Sequence, residues 1–365
     1  MTRCTKCILP DSFPGIAFDE NGVCNYCRGH VKAHLFDREE ELSKILDEHR
    51  GRSGDADCIV PYSGGRDSTY LLLRLVRDFG IRPVAVTYDW GMMTPEAQRN
   101  WANMSKALDV EHVIIRGDVD KIKRHVRSNI KAWLRKPELG MVPIFMMADK
   151  VMGYHINRLA KRRGIGLAVK GVGNPYETTT FKSGFLGVTE VIPQGNAKDI
   201  SVSARVKLLL RYAGEYLRNP AYINSSLPAA LTSYVAFYVT DALSTVRWIP
   251  FYHYVRWEEE DLLRQIRAET GWTSPEDTPL TWRIDDATAP FYNYLYYTIA
   301  GFTENDTFRS NQIREGAITR ERALEIVKAE NRPRLEAMAD YLESVGLNYT
   351  EVKARVDAIP RLCGP

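Results

Sequence analysis

A run of six residues, SGGRDS at 63–68, has the composition of a loop that binds phosphate. Its two glycines allow unusual backbone dihedral angles and the close approach of a ligand. If a helix begins at the loop, its first N–H groups point outward and the helix dipole favours an anion there. The two serine hydroxyls are further donors, and the arginine supplies positive charge. The residues predicted to contact the phosphates are Ser63, Gly64, Gly65, Arg66, Asp67 and Ser68.

Asp67 is the residue of this loop whose charge opposes a phosphate group. A carboxylate beside phosphate is stable when a cation lies between them, and Mg²⁺ commonly bridges carboxylates and phosphates in this way. We therefore predict that Asp67 binds Mg²⁺, directly or through water. The alternative for the whole run is an ordinary glycine-rich turn in which Asp67 or Ser68 caps the following helix.

Four cysteines near the N-terminus have the spacing of a metal site. They form two C-x-x-C pairs, Cys4 with Cys7 and Cys24 with Cys27, separated by 16 residues. Each pair can place two thiolates on one metal from a tight turn, which predicts a tetrahedral Zn²⁺ knot. Two disulfides, which need an oxidising compartment, and an iron–sulfur cluster are the alternatives. A site with four cysteine ligands has no open position, so the predicted role is structural.

The phosphate-binding interpretation needs a strand before the SGGRDS run and a helix after it. Short apolar runs predict strands at 58–62, 82–88, 111–115 and 166–170. Helical spacing of apolar residues predicts helices at 68–79, 95–108, 118–134 and 148–163. This alternation predicts an α/β fold, a doubly wound parallel sheet that helices cover on both faces.

The chain divides into three predicted parts. Residues 1–36 form the zinc knot, residues 37–180 form the α/β domain, and residues 181–365 form a mainly helical domain for substrate or partner binding. A charged amphipathic helix at 37–50 joins the first two parts. The helices predicted in the third part include 202–216, 231–256, 258–270 and 319–329.

Composition limits the possible classes of protein. Hydrophobic residues are 44% and charged residues 26% of the chain, which excludes a disordered or collagen-like protein. The formal net charge of +3 gives no global signal for nucleic acid, so nucleic acid is not expected as a partner. The N-terminal sequence MTRCTKCILP lacks a secretory signal, which predicts a cytoplasmic protein. The most apolar window, 227–246, is interrupted by polar residues, which favours a buried helix over membrane contact and predicts no membrane span.

Two further patterns leave their roles open. The helix predicted at 118–134 carries a basic face between 121 and 136, which a solvated surface, a nucleotide-sugar diphosphate site or an RNA site would each explain. The aromatic run with Tyr252, His253, Tyr254 and Trp257 is compatible with core packing or with stacking on sugars or bases.

The SGGRDS run resembles the SGGxDS signature of the PP-loop ATP pyrophosphatases, a branch of the adenine nucleotide α-hydrolase group. That resemblance implies cleavage of ATP to AMP and pyrophosphate, with residues 63–68 holding the pyrophosphate. It places the end of the second strand, Thr87 and Tyr88, near the adenosine. It also implies a second glycine-containing loop after the fourth strand, where Gly171 and Asn174 would contact ATP and Glu177 would take a catalytic role beside Asp67 and Arg66. For Glu177, a solvated loop carboxylate is the alternative.

More of the chain resembles the N-acetyl sugar amidotransferases of surface-polysaccharide synthesis. The opening CTKCILPDSFPGIAFDENGVCNYC is similar to their zinc-binding N-terminus. The segments NQIREGAITRE at 311–321 and EEEDLLRQIRAETGW at 258–272 are also similar to theirs. The likeness covers most of the chain and is weakest between about 180 and 250.

This second resemblance implies a reaction, cofactors and a partner. The amide oxygen of an N-acetylated sugar would attack ATP in the presence of Mg²⁺, and ammonia would then displace AMP to give an acetamidino sugar. A glutaminase needs a nucleophilic cysteine. Cys58 is placed as a small buried hydrophobe and Cys363 lies near the end of the chain. The resemblance therefore implies a separate HisH-like glutaminase as the ammonia source, alone or with a HisF-like barrel protein.

Two rival functions remain. An ATP-dependent tRNA thiolation enzyme would share the same ATPase core. Sulfur transfer usually needs catalytic cysteines, or a cluster, beside the ATP site, and only Cys58 and Cys363 remain once the zinc quartet is set aside. A non-catalytic nucleotide-binding scaffold would bind ATP without releasing pyrophosphate.

Overall fold

The computed structural model describes residues 2–32, 38–54, 56–145, 149–172, 174, 176–177, 180–190 and 201–362. Cys363 lies outside these residues. Five short strands form one parallel sheet: β1 Cys58–Pro61, β2 Pro83–Asp89, β3 His112–Arg116, β4 Leu167–Lys170 and β5 Arg247–Pro250. Their order across the sheet is β3-β2-β1-β4-β5. The first four strands agree with the predicted ranges to within one residue.

Helices fill the connections and the C-terminal half of the chain. Those up to β4 are α1 Asn25–Arg28, α2 Glu39–Asp47, α3 Arg66–Arg77, α4 Pro95–Leu108, α5 Val119–Trp133 and α6 Asp149–Arg163. Those after β4 are α7 Thr180–Gly184, α8 Val202–Arg218, α9 Ser226–Ala242, α10 Glu259–Thr270, α11 Ala289–Ala300, α12 Glu304–Glu315, α13 Arg320–Glu330, α14 Leu335–Ser344 and α15 Tyr349–Asp357.

Side chains on the two faces of the sheet enter separate cores, as the alternation of side chains along a strand requires. On β1, Cys58 and Val60 pack in the cluster that contains the apolar residues of α3 and α4. Ile59, between them, packs in the cluster that contains Ile156 and Ala160 of α6. The predicted fold class is therefore confirmed: a parallel sheet covered on both faces, with a four-cysteine cluster before it and a helical region after it.

The order of the strands determines where a ligand can bind. The chain passes from β1 to β2 and β3 on one side, and then returns to place β4 on the other side of β1. In open parallel sheets, ligands bind beyond the carboxyl ends of the strands at the point where the winding reverses. Here that point lies between β1 and β4, and the SGGRDS run follows β1.

The prediction of one helix over 231–256 is wrong in its second half. The helix α9 ends at Ala242, and β5 follows it as an edge strand whose Leu167↔Arg247 pairing extends the sheet. Four residues at a sheet edge give too short a pattern to separate from the preceding helix. This strand belongs to the sheet although it lies beyond residue 180, in the part predicted to be mainly helical. The three-part division of the chain stays a prediction.

The helix in the apolar window 227–246 was expected to be buried, and α9 is not. Leu231 and Val235 are each 59% exposed, while other parts of the helix pack on α6. Among the described residues, no helix has the length and apolar content needed to cross a bilayer.

Candidate functional site: the SGGRDS loop and its surroundings

The carbonyl groups of the SGGRDS loop accept hydrogen bonds from side chains of neighbouring elements. Donors from α4, from the start of α3 and from the chain after α10 bind three successive carbonyl oxygens. These bonds run from Trp101 Nε1 to Ser63 O (3.0 Å), from Asn100 Nδ2 and Trp272 Nε1 to Gly64 O (3.1 and 3.0 Å), and from Thr69 Oγ1 to Gly65 O (2.8 Å). Because α3 begins after Gly65 with no side-chain cap, the first N–H groups of the helix stay available to an anion.

Glycine is required at one point of this site and favoured at another. Gly64 has a φ of +87°, and a Cβ there would stand 2.7 Å from the carbonyl oxygen of Ala97. Gly171, after β4, lies so close to α3 that a Cβ would stand 3.3 Å from Cα of Ser68. The structure therefore brings the two predicted loops together at the winding reversal, with backbone rather than side chains at their contact.

Hydroxyl and carboxyl groups line the same loop. The hydroxyls of Ser63 and Ser68 are 3.3 Å apart, and the N–H of Gly65 donates to Ser63 Oγ at 3.2 Å. The carboxylate of Asp285 lies against Gly65, with an oxygen 3.2 Å from the position a Cβ there would take. Burial raises the pKa of Asp285, and a hydrogen bond with Ser63 opposes that rise.

Asp67 is fixed by two aromatic donors. The indole N–H of Trp257 donates to Asp67 Oδ1 at 2.6 Å, and the hydroxyl of Tyr252 donates to the Asp67 carbonyl at 2.7 Å. Burial raises the pKa of Asp67 to about 7, the positive charge of Arg66 opposes the rise, and Glu177 adds to it. The side chain keeps 14% exposure, so it can still reach a ligand. The aromatic run at 252–257 thus packs in the core and also holds this carboxylate.

Asp67 and Glu177 do not form a ready-made metal cage. Among the described residues, the only His, Cys, Asp and Glu side chains grouped closely enough to hold an ion by themselves are the four N-terminal cysteines. Mg²⁺ usually takes one or two carboxylates and completes its shell with waters and substrate phosphates. The residues present fit a cation of that kind, since Asp67 stands at the first turn of α3 beside the loop that would hold the phosphates.

Arg66 lies in a buried ion pair. Its side chain is 1% exposed, its Nη1 donates to Glu259 and to Thr281 Oγ1, and its guanidinium lies 5.0 Å from the ring centre of Trp257. Glu259 also pairs with Arg309, and the two cations outweigh the effect of burial and lower the pKa of Glu259 to about 2. The charge of Arg66 therefore anchors the start of α3 to α10 and α12, and its predicted direct contact with ATP stays a prediction.

Thr87 and Tyr88 lie near the carboxyl end of β2, where adenosine is expected. The Thr87 hydroxyl is buried, donates to the Tyr62 carbonyl and lies 2.7 Å from Nε2 of His112. Burial lowers the pKa of His112 to about 4, so its ring is neutral. The ring of Tyr88 is half-buried and stacks on His155 at 5.2 Å. Tyr88 thus has a partly exposed aromatic ring, whereas the Thr87 hydroxyl makes its hydrogen bonds inside the fold.

Asn174 and Glu177 form a small turn after β4. Asn174 is fully buried, and its Oδ1 accepts the N–H groups of Tyr176 and Glu177 at 3.0 and 3.1 Å. Its Nδ2 has no partner among the described residues. The indole N–H of Trp282 donates to Glu177 Oε1 at 2.9 Å, so Glu177 is held in place rather than freely solvated.

Sequence reasoning missed the segment 281–286, TWRIDD, which crosses the whole site. Thr281 contacts Arg66, Trp282 contacts Glu177, and Asp285 lies against Gly65 of the loop. Arg283 has a φ of +52° and pairs with buried Glu304 at 3.3 Å. A non-glycine residue in this conformation is uncommon and is enriched at functional sites. No local motif marks the segment, because its importance comes from contacts with residues more than 100 positions away.

The four N-terminal cysteines converge as predicted. All four are buried, and their sulfurs lie within 4.8 Å of one another, with 3.8 Å between Cys7 and Cys24 and 4.0 Å between Cys4 and Cys27. A disulfide requires about 2.05 Å, so neither pair is bonded. A tetrahedral metal with bonds of about 2.3 Å separates its sulfurs by about 3.8 Å. The spacing therefore fits one ion, and a cluster of several irons would hold the sulfurs farther apart.

The C-terminal helices hold this knot. Arg314 Nη1 donates to the sulfurs of Cys7 and Cys27 at 3.6 and 3.9 Å. Arg320 Nε donates to the carbonyls of Cys4 and Cys7 at 3.2 and 3.0 Å. Both arginines belong to the segment 311–321, so two distant stretches of the sequence form one unit.

No family model matches the sequence. An uncharacterized protein of Methanocaldococcus jannaschii, MJ1599, is 28% identical over 130 residues, which are 33% of this chain and 47% of that protein. The chain thus spans about half the length of this curated relative.

Two solved structures were also found to be similar, both at 14% identity. One is the U34-tRNA thiolase NcsA from Methanococcus maripaludis with its [4Fe-4S] cluster, which covers 89% of each chain with a TM-score of 0.34. The other is the NH3-dependent NAD synthetase from Campylobacter jejuni, which covers 64% of this chain and 91% of that one with a TM-score of 0.28. The fold assignment rests on the strand order and the loop geometry described above.

Proposed function

We propose that the protein is an ATP-dependent, AMP-forming amidotransferase of the PP-loop type. Its substrate would be an N-acetylated, nucleotide-linked sugar and its product an acetamidino sugar for surface polysaccharide. The observation that supports ATP binding is the geometry of the SGGRDS loop. Its carbonyl groups accept hydrogen bonds from neighbouring side chains, while the N-terminus of α3 has no side-chain cap. The sugar part is supported by the sequence resemblance, whose 311–321 segment holds the cysteine knot.

The reaction would take place in two steps. The acetamido oxygen attacks the α-phosphorus of ATP, a P–O bond forms, and the bond to the β-phosphate breaks to release pyrophosphate. Ammonia then adds to the imidate carbon and loses a proton, and the C–O bond breaks to release AMP. Activation is needed because an amide oxygen is a poor leaving group.

The chain would mainly position the reactants and stabilise the charge that develops on the phosphates. The N–H groups at the start of α3 and the hydroxyls of Ser63 and Ser68 would bind the pyrophosphate. Asp67, held by Trp257, would bind Mg²⁺, which when present neutralises phosphate charge. Glu177 would complete the polar wall on the β4 side, with Gly171 allowing the close approach of its loop.

In the cysteine knot we propose Zn²⁺, held by Cys4, Cys7, Cys24 and Cys27. The sulfur spacing supports a single tetrahedral ion, and four thiolates would leave it no open position for catalysis. Its role would be to fold the N-terminal segment against α12 and α13.

Ammonia would come from a separate HisH-like glutaminase, alone or with a HisF-like barrel protein. Outside the knot, the described part of the chain holds one cysteine, Cys58, which is fully buried in β1 and whose thiol pKa is raised by burial. Such a thiol is a poor nucleophile. The same observation weighs against sulfur transfer to tRNA by a catalytic cysteine, which would need a reactive thiol beside the loop.

The proposal is tested by release of AMP and pyrophosphate from ATP with Mg²⁺, ammonium and a panel of nucleotide-linked N-acetyl sugars. One sugar should stimulate release and yield a product in which NH replaces O by mass spectrometry. Asp67→Asn should lower the rate at least about 100-fold, because it removes a charged group from the site of phosphate chemistry. Asp340→Asn, on the exposed side of α14, is the matched control. Release that depends on tRNA and a sulfur donor, and on no sugar, would contradict the proposal.

A further inference from the structure

The helices α8 and α9 concentrate exposed apolar side chains on one stretch of the chain. Ten of the sixteen large hydrophobic residues that are exposed in the described structure lie between 202 and 243. They are Val202, Val206, Leu209, Leu210, Leu217, Ile223, Leu231, Val235, Val239 and Leu243. Single exposed apolar residues are ordinary, but a concentration of this kind marks a surface that contacts something else.

On α8 these residues form a stripe. At 100° per residue, the five on this helix, from Val202 to Leu217, fall within an arc of about 100°. Leu209 is 69% and Leu217 78% exposed. The helix turns a different side to the protein, where Tyr212 and Tyr216 pack against the core. The stripe is therefore additional to what α8 needs for folding.

Basic residues border the stripe. Lys207, Arg211 and Arg218 are exposed and project from α8 on the side next to its apolar arc. Among the described side chains between 201 and 243, the acidic one is Glu215, which is buried and paired with Arg218 at 2.7 Å. The exposed charge among the described side chains of α8 is thus positive, and the exposed Glu190 accepts from the hydroxyl of Ser201 just before the helix.

The basic helix α5 adjoins the same region. Asn219 Nδ2, after α8, donates to the Ala132 carbonyl at 2.8 Å, and the hydroxyl of Ser226, which begins α9, donates to Asn129 Oδ1 at 2.8 Å. The exposed cations on α5 are Lys121, Arg124 and Lys131, and Arg135 and Lys136 follow the end of the helix. Of these, Lys131 and Arg135 line a groove with residues of α15. The two sequence patterns without an assigned role, the apolar window and the basic helix, therefore lie side by side.

We propose that α8 and α9 dock the protein onto an anionic lipid bilayer, with the exposed cations of α8 on the headgroups. Helices that lie in the membrane interface combine an apolar face with a Lys- and Arg-rich polar face, and anionic lipids add about 1 kcal/mol for each basic residue near the surface. A second copy of the chain suits the surface less well. In a two-fold interface the same patch meets itself, which would bring the basic borders together without compensating charge.

The test is sedimentation of the full chain with vesicles of phosphatidylcholine, alone or with about one third phosphatidylglycerol. The wild type should bind the anionic vesicles more tightly, and added salt should weaken binding. Lys207→Gln with Arg211→Gln should weaken it roughly 30-fold, as expected from the contribution of two basic residues. Leu209→Gln with Leu217→Gln should weaken it at least about tenfold, because two apolar side chains lose their insertion.

Matched controls come from exposed residues elsewhere. Lys328→Gln with Arg332→Gln removes two exposed cations near α13, and Leu335→Gln changes an exposed leucine on α14, so these variants should bind like the wild type. Circular dichroism establishes that every variant is folded. The proposal is overturned if the wild type ignores anionic vesicles, if it binds neutral ones equally, or if the α8 variants bind normally. A wild-type dimer in light scattering that the leucine variant dissociates, without vesicle binding, would assign the surface to a second copy.

Discussion

The negative charge of Asp67 is disfavoured in the ligand-free protein, and a bound cation would stabilise it. It is largely buried, and Glu177 and Glu259 both disfavour its charge. Arg66, the nearest cation, lies 3.7 Å away and directs Nη1 to Glu259 instead. A divalent cation beside Asp67 would remove this conflict, which is the electrostatic reason to place Mg²⁺ there.

The pH dependence of stability should reflect this environment. The pKa of Asp67 is about 7 in the folded chain, above the ordinary value of 3.8. The neutral form therefore favours folding below about pH 4, and that contribution is lost as the pH rises through 7. Asp67→Asn keeps a neutral group at all pH values, so the variant should gain stability relative to the wild type between about pH 4 and 7. Urea denaturation without Mg²⁺ or ATP measures the difference, and Asp340→Asn controls for loss of a carboxylate. A difference that does not change with pH would show that Asp67 is not destabilised by folding.

At the scale of elements, the start of α3 is held by helices that come much later in the chain. Arg66, Glu259, Arg309 and Glu330 form a buried chain of alternating charge that joins α3, α10, α12 and α13. Breaking a buried ion pair leaves an uncompensated charge, which costs far more than the loss of a surface pair. The network therefore fixes the helix whose N-terminus forms the anion site.

Glu259→Gln should destabilise the protein by about 3 kcal/mol, because it removes the carboxylate that pairs with Arg66 and leaves Arg309 with Glu330 alone. Glu260→Gln, the next residue on α10, removes an exposed carboxylate and should change the free energy of unfolding by less than about 0.5 kcal/mol. Chemical denaturation at neutral pH compares the two variants. Equal stability of both would mean that the buried network does not hold α3.

For the whole molecule, the N-terminal knot and the C-terminal helices depend on each other. Arg3 pairs with Asp306 at 2.7 Å, and Arg314 and Arg320 bind the knot. The apolar residues of the knot, such as Leu9 and Phe13, are buried in the same cluster as residues of α11, so docking and metal binding together supply its stability.

We expect about one zinc ion per chain by elemental analysis. Removing it with a chelator should lower the melting temperature, and Cys24→Ser should reproduce both the loss of zinc and the lower stability. Cys58→Ser, in the sheet, should keep the full zinc content and is the matched control. Iron in place of zinc, with the absorption of an iron–sulfur cluster, would contradict the assignment.

The sequence predicts the parts of the site that are contiguous. The SGGRDS run, the two C-x-x-C pairs and the first four strands are local patterns, and the structure places them as expected. Asp285 and Glu259 were not predicted as site residues, and Trp257 was predicted as a core or stacking residue rather than as a partner of Asp67. Their roles come from tertiary contacts with the start of α3. The helix α9 looked buried because its composition is apolar, and composition does not reveal which face has a partner.

The most direct test of the central proposal follows the acetamido oxygen. An N-acetyl nucleotide sugar labelled with ¹⁸O at that oxygen is incubated with ATP, Mg²⁺, ammonium and the protein, and the AMP is examined by mass spectrometry. If the amide oxygen attacks the α-phosphorus, the label should appear in the phosphate of AMP, and the sugar should carry NH in its place. AMP without label, or label that stays in the sugar while AMP forms, would contradict the proposed function.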